Sequence, residues 1–389
     1  MDKFSTELIQ ILTNTAFSDD PLRCMVEALC SRIMNTEVTL LLNAEKSERT
    51  KERKQYRSGY RERDWNTRLG TIQLSVPKLR KGGYVPCFLE KGKRGENALI
   101  GVVQEAYIHG ISTRRMEAFA REIGLDGLSK SQVSEMNKGL TDEVERFRNQ
   151  PIEREYPIII VDALYEKVRE NGHVQSMAIM VVCGVNSDGY RELLAVEPMP
   201  EESKETYCWL FKKLGNRGLK APKLIISDAH KGLTAAITEC LVGSSWQRCK
   251  VHFMRNILAL ISKKDKAVFA AELKEIWLAK DITQARERAH RFINKYQLKY
   301  PKAINCLKEG LEDSLTYYAF GEVDYRKLSS SNMIERLNRE IRRRTRVVSI
   351  FPNQEAYLRL MTSFLIDYTE NWDKKGRAYI SLDSFLSNG

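Results

Sequence analysis

Two short apolar runs of this chain, PIIIVD and KLIISD, each end in an aspartate. Such runs predict buried strands, and a carboxylate at the end of a buried strand is costly unless a cation or hydrogen bonds compensate it. The two carboxylates are Asp162 and Asp228. A single strand-end aspartate is more often a helix N-cap, and for Asp228, which precedes a predicted helix, that interpretation stays open. The pair restricts the fold, because a sheet must place both strand ends where their charge is tolerated.

Around these runs the sequence predicts a mixed α+β fold. Three β-type runs, PIIIVDALY, VQSMAIMVVCGV and GYRELLAVEPM, are separated by short polar turns, which predicts an antiparallel meander. A predicted helix leads to the fourth strand, PKLIISDA, and a short strand lies around SSWQRCKV. In a ribonuclease-H-like sheet the first and fourth of these strands are neighbours. Asp162 and Asp228 would then meet at one edge of the sheet.

The rest of the chain divides into segments before, within and after this sheet. Residues 1–97 are predicted to hold a helix at 20–43, a charged arm at 44–63 that is mobile without a ligand, and a short hairpin around Gly70. Residues 98–150 are predicted to form short helices. The predicted sheet domain is 151–252 plus 326–372, interrupted by a helical insertion at 253–325 and followed by a tail at 373–389. Trp277, Phe292 and Tyr296 are the predicted core anchors of the insertion.

Composition excludes several classes of protein. Of the 389 residues 42% are hydrophobic, yet the longest apolar run, MAIMVVCGV, is too short to cross a bilayer. The N-terminus lacks the features of a secretory signal, and the eight cysteines contain no CxxC pair. We therefore expect a cytoplasmic protein with reduced thiols and no membrane partner.

The charge of the chain points to nucleic acid. The formal net charge is +12, and residues 46–81 carry twelve lysines and arginines against four acids. A second cluster, ERLNREIRRRTR, places six arginines in residues 335–346. Tyr56, Tyr60 and Trp65 are interleaved with the first cluster. Because phosphate contacts by basic side chains supply most of the non-specific affinity, we predict double-stranded DNA as a partner, with Arg57 and Arg61 among its contacts.

The segment ISTRRMEAFAREIGLDGLSKSQVSEMNKGL has the pattern of two short helices. The first would begin at Ser112 or Thr113, a turn would span 124–127, and Ser129 with Gln132 would form the capping box of the second. This pattern fits a helix-turn-helix that binds DNA, and it fits equally an αα-hairpin in any helical domain.

A third carboxylate, Glu335, lies on the predicted helix 331–346. Met333, Leu337 and Ile341 recur as its buried stripe, and the opposite face carries Glu335, Asn338, Arg339 and Arg342. Asn332 and Glu335 also have the spacing of a capping box, so Glu335 could only cap its own helix. Arg342 lies two turns after Glu335 on the same face and is expected to grip a phosphate. Arg344, about 160° further round the helix, is expected to matter much less.

The segment SSWQRCKVHFMRN places Cys249 and His252 three residues apart, followed by Arg255. A CxxH pair is half of a zinc site, but the chain has no second pair at suitable spacing. His252 and Arg255 also match the HxxR spacing of tyrosine recombinases, with Tyr317, Tyr318 and Tyr325 as conceivable nucleophiles, although the strand-rich region before them argues against that class. We favour packing beside the active site, with His252 near the scissile phosphate.

Three carboxylates that converge on one point would repel each other without a cation. Hard oxygen ligands of this kind suit Mg²⁺ or Mn²⁺. A pair of such ions, about 3.5–4 Å apart, can activate a water or a 3′-hydroxyl for phosphodiester displacement. We therefore expect Mg²⁺ or Mn²⁺, with two ions in each active site.

Several motifs together resemble the mutator-type transposases of bacterial insertion sequences. They are TIQLSVPKLRKGGYVPCFLEKGKR, GISTRR, VDALYEKVRE, LIISDAHKGL, WQRCKVHFMRN and SNMIERLNREIRRRTR, and the resemblance covers about residues 50–372. It implies a DDE catalytic domain of ribonuclease-H-like fold with an all-helical insertion after the fifth strand. Asp162, Asp228 and Glu335 fall on the catalytic positions, Cys249 and His252 on the Cys-x-x-His signature, and Arg342 on the basic position after the glutamate.

The resemblance implies a DNA transposase that acts as a homodimer. It would bind terminal inverted repeats, free a 3′-OH at each end and join that 3′-OH to target DNA. It would be a bacterial cytoplasmic protein, associated with the nucleoid when bound to DNA. The predicted DNA contacts are Arg342, Arg339, Arg343, His252, Arg255, Arg57 and Arg61, with Cys249 and His230 in supporting positions. The alternatives are a non-catalytic helix-turn-helix DNA-binding protein and, less favoured, a tyrosine recombinase.

Overall fold

The computed structural model describes residues 20–48, 50–89, 95–111, 113–122, 129–321, 324–348, 350–372, 378–382 and 385. They belong to two compact units, of which the first ends at Gly139 and the second begins at Leu140. In the described ranges no helix combines the length and the apolar character that crossing a membrane requires.

The first unit contains one long helix, one hairpin and three shorter helices. Its elements are α1 (Pro21–Leu42), β1 (Arg57–Thr67), β2 (Gly70–Leu79), α2 (Asn97–Ile108), α3 (Thr113–Glu122) and α4 (Lys130–Asn137). Helix α1 begins as the sequence predicts: Asp20 accepts a hydrogen bond from the backbone N–H of Arg23 at 3.2 Å, and proline follows at the first helical position.

The core of this unit forms where α1 packs on β2. Residues four apart on α1 meet alternate residues on β2; they are Cys30, Met34, Val38 and Leu42 on the helix and Ile72, Leu74 and Val76 on the strand. Strand β1 contributes little to this core, because most of its side chains are exposed. The hairpin therefore has one apolar strand and one polar strand.

The prediction of a mobile arm over residues 44–63 was wrong for its last seven residues. Strand β1 pairs with β2 in antiparallel register, from Arg57 opposite Leu79 to Thr67 opposite Gly70. The alternating pattern that identifies a hairpin is present only in β2, because β2 alone covers the core. A charged run can therefore be a strand when its partner supplies the apolar face.

Helices α3 and α4 are the two helices predicted for a helix-turn-helix. The predicted capping box is confirmed: Gln132 Oε1 accepts from the backbone N–H of Ser129 at 2.9 Å. The helices share a small core with α2, made of Leu99, Val103, Met116, Ala120 and Val133. Ser112 and the predicted turn at 124–127 lie outside the described residues, and a DNA-binding role for the pair stays a prediction.

The second unit is built on a mixed five-stranded sheet. Its first elements are α5 (Gly139–Asn149), β3 (Ile158–Glu170), β4 (His173–Val185), β5 (Arg191–Met199), α6 (Lys204–Asn216), β6 (Leu224–Ser227), α7 (Lys231–Cys240) and β7 (Ser245–Arg248). The strand order is β5-β4-β3-β6-β7. Strands β3, β4 and β5 are antiparallel, whereas β6 runs parallel to both β3 and β7. The predicted meander and the predicted adjacency of its first strand to the fourth are confirmed.

The region between β7 and residue 331 is helical, as predicted. It contains α8 (Lys250–Ala259), α9 (Lys266–Lys274), α10 (Ile282–Tyr296), α11 (Pro301–Gly310), α12 (Tyr325–Leu328) and 3₁₀ turns at Glu275–Leu278, Glu312–Ser314 and Thr316–Phe320. The three predicted core anchors are buried, with Phe292 and Tyr296 packed on Phe269. Buried Gln247 of β7 binds the backbone of Ser314 and Tyr317, which attaches this region to the sheet.

The last two helices, α13 (Asn332–Val348) and α14 (Gln354–Thr369), pack beside β3. The connection between them pairs with the far end of that strand: the backbone N–H of Phe351 donates to Lys167 at 2.9 Å, and that of Arg169 donates to Phe351 at 2.8 Å. The hydroxyl of Tyr357 donates to the carbonyl of Leu164. These bonds fix the C-terminal end of α13 relative to the strand that carries Asp162.

Candidate active site

Asp162 and Asp228 occupy matching positions on neighbouring strands. The last paired residues of β3 and β6 are Ile160 and Ile226, and each aspartate follows two residues later. Asp162 is only 7% exposed. Burial raises the pKa of its carboxyl group to about 6; the charge of Asp228 adds to the rise, whereas His252 opposes it. Ionisation of Asp162 is therefore costly unless further positive charge joins it.

Glu335 faces the same cleft as Asp162. The predicted stripe of α13 (Met333, Leu337 and Ile341) is buried, which turns Glu335 outward. The cleft has a volume of about 580 Å³ and is lined by Asp162, Ala163, His252, Arg255, Glu335, Asn338, Arg339, Glu340, Arg342, Arg343 and Arg346. The structure thus brings two of the predicted catalytic carboxylates to one cleft, and the third, Asp228, lies close enough to act on the charge of Asp162.

The partner of Glu335 is a cation on another helix. Nη2 of Arg255, on α8, lies 3.2 Å from Glu335 Oε1. The start of α13 is supported separately, because the backbone N–H groups of Ile334 and Glu335 both donate to the carbonyl of Ser331. The Glu335 carboxylate therefore has a partner outside its own helix, and its role in catalysis stays a prediction.

Asn338 connects α13 directly to Asp162. Its Nδ2 donates to Asp162 Oδ2 at 2.9 Å. Its Oδ1 is buried and has no hydrogen-bond partner among the described residues. Sequence analysis placed Asn338 on this face of the helix but gave it no role. A buried carbonyl oxygen without a partner, next to a carboxylate, is suited to accept a cation or a water.

The donor set of the cleft fits a hard divalent cation. Asp162, Asp228 and Glu335 offer carboxylate oxygens, and Asn338 offers a carbonyl oxygen, which are the ligands that Mg²⁺ and Mn²⁺ prefer. In the described part of the chain these groups do not form a set whose ligand atoms all lie within 4.8 Å of one another; Cys208, Glu239 and Cys240, on α6 and α7, do. The Glu335 carboxylate is instead paired with Arg255.

Cys249 and Lys250 connect the start of α8 to the segment before α13. The backbone N–H of Ser331 donates to Cys249 Sγ at 3.3 Å, and that of Lys250 donates to the carbonyl of Ser329 at 2.9 Å. The hydrogen bond with Cys249 raises the pKa of His252 to about 9. Burial alone would raise the pKa of the Cys249 thiol, but the hydrogen bonds from His252 and Ser331 lower it overall. The raised pKa favours the protonated form of His252, and the charge of His252 opposes the rise in the pKa of Asp162. The part of Cys249 and His252 in catalysis stays a prediction.

The arginines of α13 do not form one exposed surface. Arg339, Arg342 and Arg343 line the cleft that holds Glu335. Arg336 lines a different cleft, together with Tyr368, Trp372 and Tyr379. Their positions follow from the helical period, which puts residues 339 and 342 one and two turns beyond Glu335.

Arg344 does not line the cleft that holds Glu335, in agreement with its predicted place about 160° round the helix from Arg342. It is 9% exposed, its guanidinium lies 3.8 Å from the centre of the Phe364 ring, and Nη1 donates to Glu340 Oε2 at 3.1 Å. Residue 344 lies seven positions after Leu337, so it shares the buried face of the helix. A count of basic residues does not reveal the burial of Arg344, because the position of each residue relative to the buried stripe of α13 decides whether its side chain is covered.

The two arginines predicted to contact DNA from the hairpin differ in their surroundings. Arg57 is turned toward α1, where Nη2 donates to Thr39 Oγ1 at 2.8 Å and Nη1 donates to Asn35 Oδ1 at 3.2 Å. Arg61 is exposed and lines a cleft of about 750 Å³ formed by the hairpin and residues 82–85. Among the interleaved aromatic residues, Trp65 packs on Phe88. DNA contact by either arginine stays a prediction.

One acid near the site was missed by sequence analysis. Glu202 lies in the loop before α6, and its Oε2 is 3.5 Å from Nε2 of His230. The backbone N–H of His230 donates to Asp228 Oδ1 at 3.4 Å. No strand or helix pattern distinguishes Glu202 from the other acids of the EESKE segment, so only the tertiary structure identifies it.

The sequence is similar to known proteins over almost its whole length. A family model described as "Transposase, Mutator family" matches residues 2–375. The transposase for insertion sequence element IS256 in transposon Tn4001 of Staphylococcus aureus is 38% identical over 381 residues, 97% of each chain. The transposase for ISRM5 of Rhizobium meliloti is 37% identical, covering 94% of this chain and 91% of its own. The transposase for IS1081 of Mycobacterium tuberculosis is 38% identical, covering 94% and 88%.

Proposed function

Because the chain belongs to the Mutator family of transposases, we propose that it is a DDE transposase acting on the terminal inverted repeats of an insertion sequence. It would cleave a strand at each end and transfer the freed 3′-OH into target DNA. The observation that carries this proposal is the position of Asp162 beside Asp228 on neighbouring parallel strands, with Glu335 on the wall of the same cleft. Carboxylates bind cations and guanidinium groups bind phosphates, so this cleft suits phosphodiester chemistry.

The strand order supports a ribonuclease-H-like catalytic domain. Three antiparallel strands are followed by two parallel ones beside the first strand, in the order β5-β4-β3-β6-β7. We assign residues 151–252 and 326–372 to this domain and 253–325 to its helical insertion. The sheet would position Asp162 and Asp228, and α13, which follows the insertion, would return Glu335 to them.

The proposed cofactor is a pair of Mg²⁺ or Mn²⁺ ions, held by Asp162, Asp228 and Glu335. When bound, these ions would activate the attacking water or 3′-OH and stabilise the leaving oxygen. The raised pKa of Asp162 and the unpaired Oδ1 of Asn338 support a cation in this cleft. The Glu335 carboxylate would break its ion pair with Arg255 when it binds the cations.

The basic side chains of the cleft would bind and orient the DNA. Arg342 and Arg339 lie on the face of Glu335, where a guanidinium can bind a phosphate with two parallel hydrogen bonds. Arg255, once released from Glu335, would bind a second phosphate. His252, which carries a proton at neutral pH, would place positive charge beside the scissile phosphate.

We assign recognition of the terminal repeats to residues 1–150. The exposed bases of the hairpin and helices α3 and α4 are the elements of this region suited to DNA. A homodimer would allow two element ends to be held together.

The proposal is tested by incubating the protein with a labelled element end and Mg²⁺ and mapping the strand products. We expect a cleaved strand with a free 3′-OH and its joining to target DNA. Asp162→Asn, Asp228→Asn and Glu335→Gln should each reduce cleavage by about 10²–10³-fold or more, because each removes a cation ligand. End binding, measured by gel shift, should be largely unchanged.

Glu340→Gln is the matched control, since Glu340 is an acid of the same helix and cleft that we do not place at the cation. Near-normal cleavage by one of the three variants would remove that residue from the site. A product covalently attached to the protein would instead support the recombinase alternative, and binding without any cleavage would support the non-catalytic one.

A further inference from the structure

Helix α13 is attached to strand β3 by two side-chain hydrogen bonds. Asn338 Nδ2 donates to Asp162 Oδ2 at 2.9 Å, and Thr345 Oγ1 donates to Glu166 Oε1 at 2.7 Å. The two donors are two helical turns apart, which is about 10 Å along α13. The two acceptors lie on one face of the sheet and are about 13 Å apart along β3. Because these spacings are similar, the helix can hold both acceptors while it runs along the strand.

The bond from Asn338 orients a carboxylate that its own backbone leaves free to turn. The last side-chain torsion of an aspartate has broad minima, so the position of β3 alone does not fix the two oxygens of Asp162. Asp162 is buried, which limits the water that could hold it instead. Oδ1 of Asn338 has no hydrogen-bond partner among the described residues, so the amide is oriented through Nδ2. Each of the two side chains therefore fixes the orientation of the other.

The same bond determines where Glu335 stands. Glu335 lies one turn before Asn338 on α13, and both side chains line the cleft that holds Asp162. If α13 turned about its axis or slid along β3, the Glu335 carboxylate would move relative to Asp162, because the side chains of a helix move with it. The bond of Thr345 is two turns further along the helix, and its acceptor, Glu166, does not line this cleft. Of the two attachments, the one at Asn338 is therefore the one that bears on the carboxylates.

We propose that Asn338 is a positioning residue that orients the Asp162 carboxylate and sets the distance between Asp162 and Glu335. This inference rests on the proposed function, because it takes both carboxylates as cation ligands. Asn338 acts through the hydrogen bond from its amide to Asp162. Partners that orient metal ligands typically contribute about 10–100-fold to metal affinity or activity, and Asn338 is expected to fall in that range.

The test uses the full-length protein, with Mn²⁺ as the probe ion. Mn²⁺ binding is measured by calorimetry, cleavage by single turnover at saturating DNA over a series of Mn²⁺ concentrations, and folding by thermal melting. Asn338→Ala should weaken Mn²⁺ binding about 10–100-fold and raise the half-saturating Mn²⁺ concentration by a similar factor. The cleavage rate at saturating Mn²⁺ should fall less, because a high concentration compensates for weaker binding. Asn338→Gln, which keeps the amide on a longer stem, should retain part of the affinity.

Thr345→Val is the matched control, because it removes the other hydrogen bond between α13 and β3 and leaves Asn338 and Asp162 unchanged. It should lower the melting temperature but keep the Mn²⁺ affinity and the half-saturating Mn²⁺ close to the wild-type values. Asn338 is half-buried within a helix, where alanine is well tolerated, so Asn338→Ala should fold. Equal losses of Mn²⁺ affinity in the Asn338→Ala and Thr345→Val variants would overturn the proposal, and so would wild-type Mn²⁺ affinity in Asn338→Ala.

A double-mutant cycle separates positioning from direct binding of the cation. If Asn338 acts through Asp162, Asn338→Ala should have little further effect on Mn²⁺ binding in the Asp162→Asn background, titrated to higher Mn²⁺. If Oδ1 of Asn338 is itself a cation ligand, the loss of affinity should be the same in both backgrounds. That second result would overturn the positioning role.

Failure of this inference is distinguishable from failure of the proposed function. If Asp162→Asn abolishes cleavage while Asn338→Ala binds Mn²⁺ and cleaves normally, only the role of Asn338 is lost. If Asp162→Asn itself binds Mn²⁺ and cleaves as the wild type does, the catalytic assignment fails and the inference fails with it.

Discussion

Residues 46–81 and helix α13 are both strongly basic in sequence, but the structure surrounds their bases with different groups. In α13 the arginines stand around carboxylates: Arg342 shares a cleft with Asp162 and Glu335, and Arg343 pairs with Glu340. In residues 46–81 three bases lie over exposed tyrosine rings: Lys46 on Tyr60, and Arg53 and Arg80 on Tyr56. Bases around a carboxylate cluster can serve chemistry on a phosphate, whereas bases around exposed rings suit binding alone.

The comparison also shows that each region uses one arginine for its own folding. Arg344 is stacked on Phe364, and Arg57 is bonded to α1. A count of bases therefore overstates the surface open to DNA in both regions. Catalytic, binding and structural arginines should therefore respond differently to substitution. The carboxylates that distinguish the two regions should add a further difference.

The largest contrast is expected between two arginines of α13. Arg342→Ala should reduce cleavage about 10–100-fold at saturating DNA, because a guanidinium beside the carboxylates would hold the phosphate. Arg336→Ala, on the same helix but in a different cleft, should change cleavage little. The rates are compared by single turnover, so that weaker binding is not mistaken for lost chemistry. Equally small effects of Arg342→Ala and Arg336→Ala would indicate that Arg342 is an ordinary surface base without a role in catalysis.

The carboxylate cluster should make the free energy of unfolding depend on pH, an effect that the hairpin region lacks. Because the pKa of Asp162 is raised to about 6 in the folded protein, folded chains bind more protons than unfolded ones between about pH 4 and 6, and stability falls as pH rises through that window. In EDTA at pH 7.5, Asp162→Asn should therefore be more stable than the wild type by about 1–3 kcal/mol.

Urea unfolding with and without Mg²⁺ measures this difference. The gain of Asp162→Asn should vanish below about pH 4, where the wild-type carboxyl group is protonated in both states. Mg²⁺ should stabilise the wild type more than the variant. A variant that is less stable than the wild type at pH 7.5 without metal would show that the buried charge is already compensated.

Arg344 should behave as a structural residue. Arg344→Ala removes the stacking on Phe364 and the bonds to Glu340, and should lower the free energy of unfolding by about 1–2 kcal/mol. Arg343→Ala, one residue earlier and exposed, should change it by less than about 0.5 kcal/mol. Urea unfolding of the two variants checks this, and the opposite ranking would contradict the buried position of Arg344.

The smallest effect is expected at a single hairpin base. Arg61→Ala should weaken DNA binding only a few-fold and lower the salt dependence by about one unit in the slope of log K against log salt, since one phosphate contact is lost. Cleavage at saturating DNA should not change. Fluorescence anisotropy over a salt series measures the slope. An unchanged slope would show that Arg61 meets no phosphate.

Much of the fold could be predicted because its signals are local. The β-type runs gave the meander, and the spacing of Met333, Leu337 and Ile341 gave the buried face of α13. Strand β1 was predicted only in part, because its polar pattern carries no sign of pairing when the partner strand alone covers the core. Sequence analysis placed Arg344 on the other side of α13 from Arg342 but gave it no structural role, because only the tertiary structure shows that Phe364 packs there.

The sequence by itself determined the candidate carboxylates, since a strand end and an amphipathic helix each distinguish one acid from its neighbours. It determined the family as well, through motifs spread over most of the chain. Only the tertiary structure decided which groups surround those acids: Asn338 on Asp162, Arg255 on Glu335, and Glu202 on His230 next to Asp228. The physical reason is the distance along the chain over which each signal acts. Hydrophobic periodicity acts over a few residues, whereas these contacts join residues that are 28 to 176 positions apart in the chain.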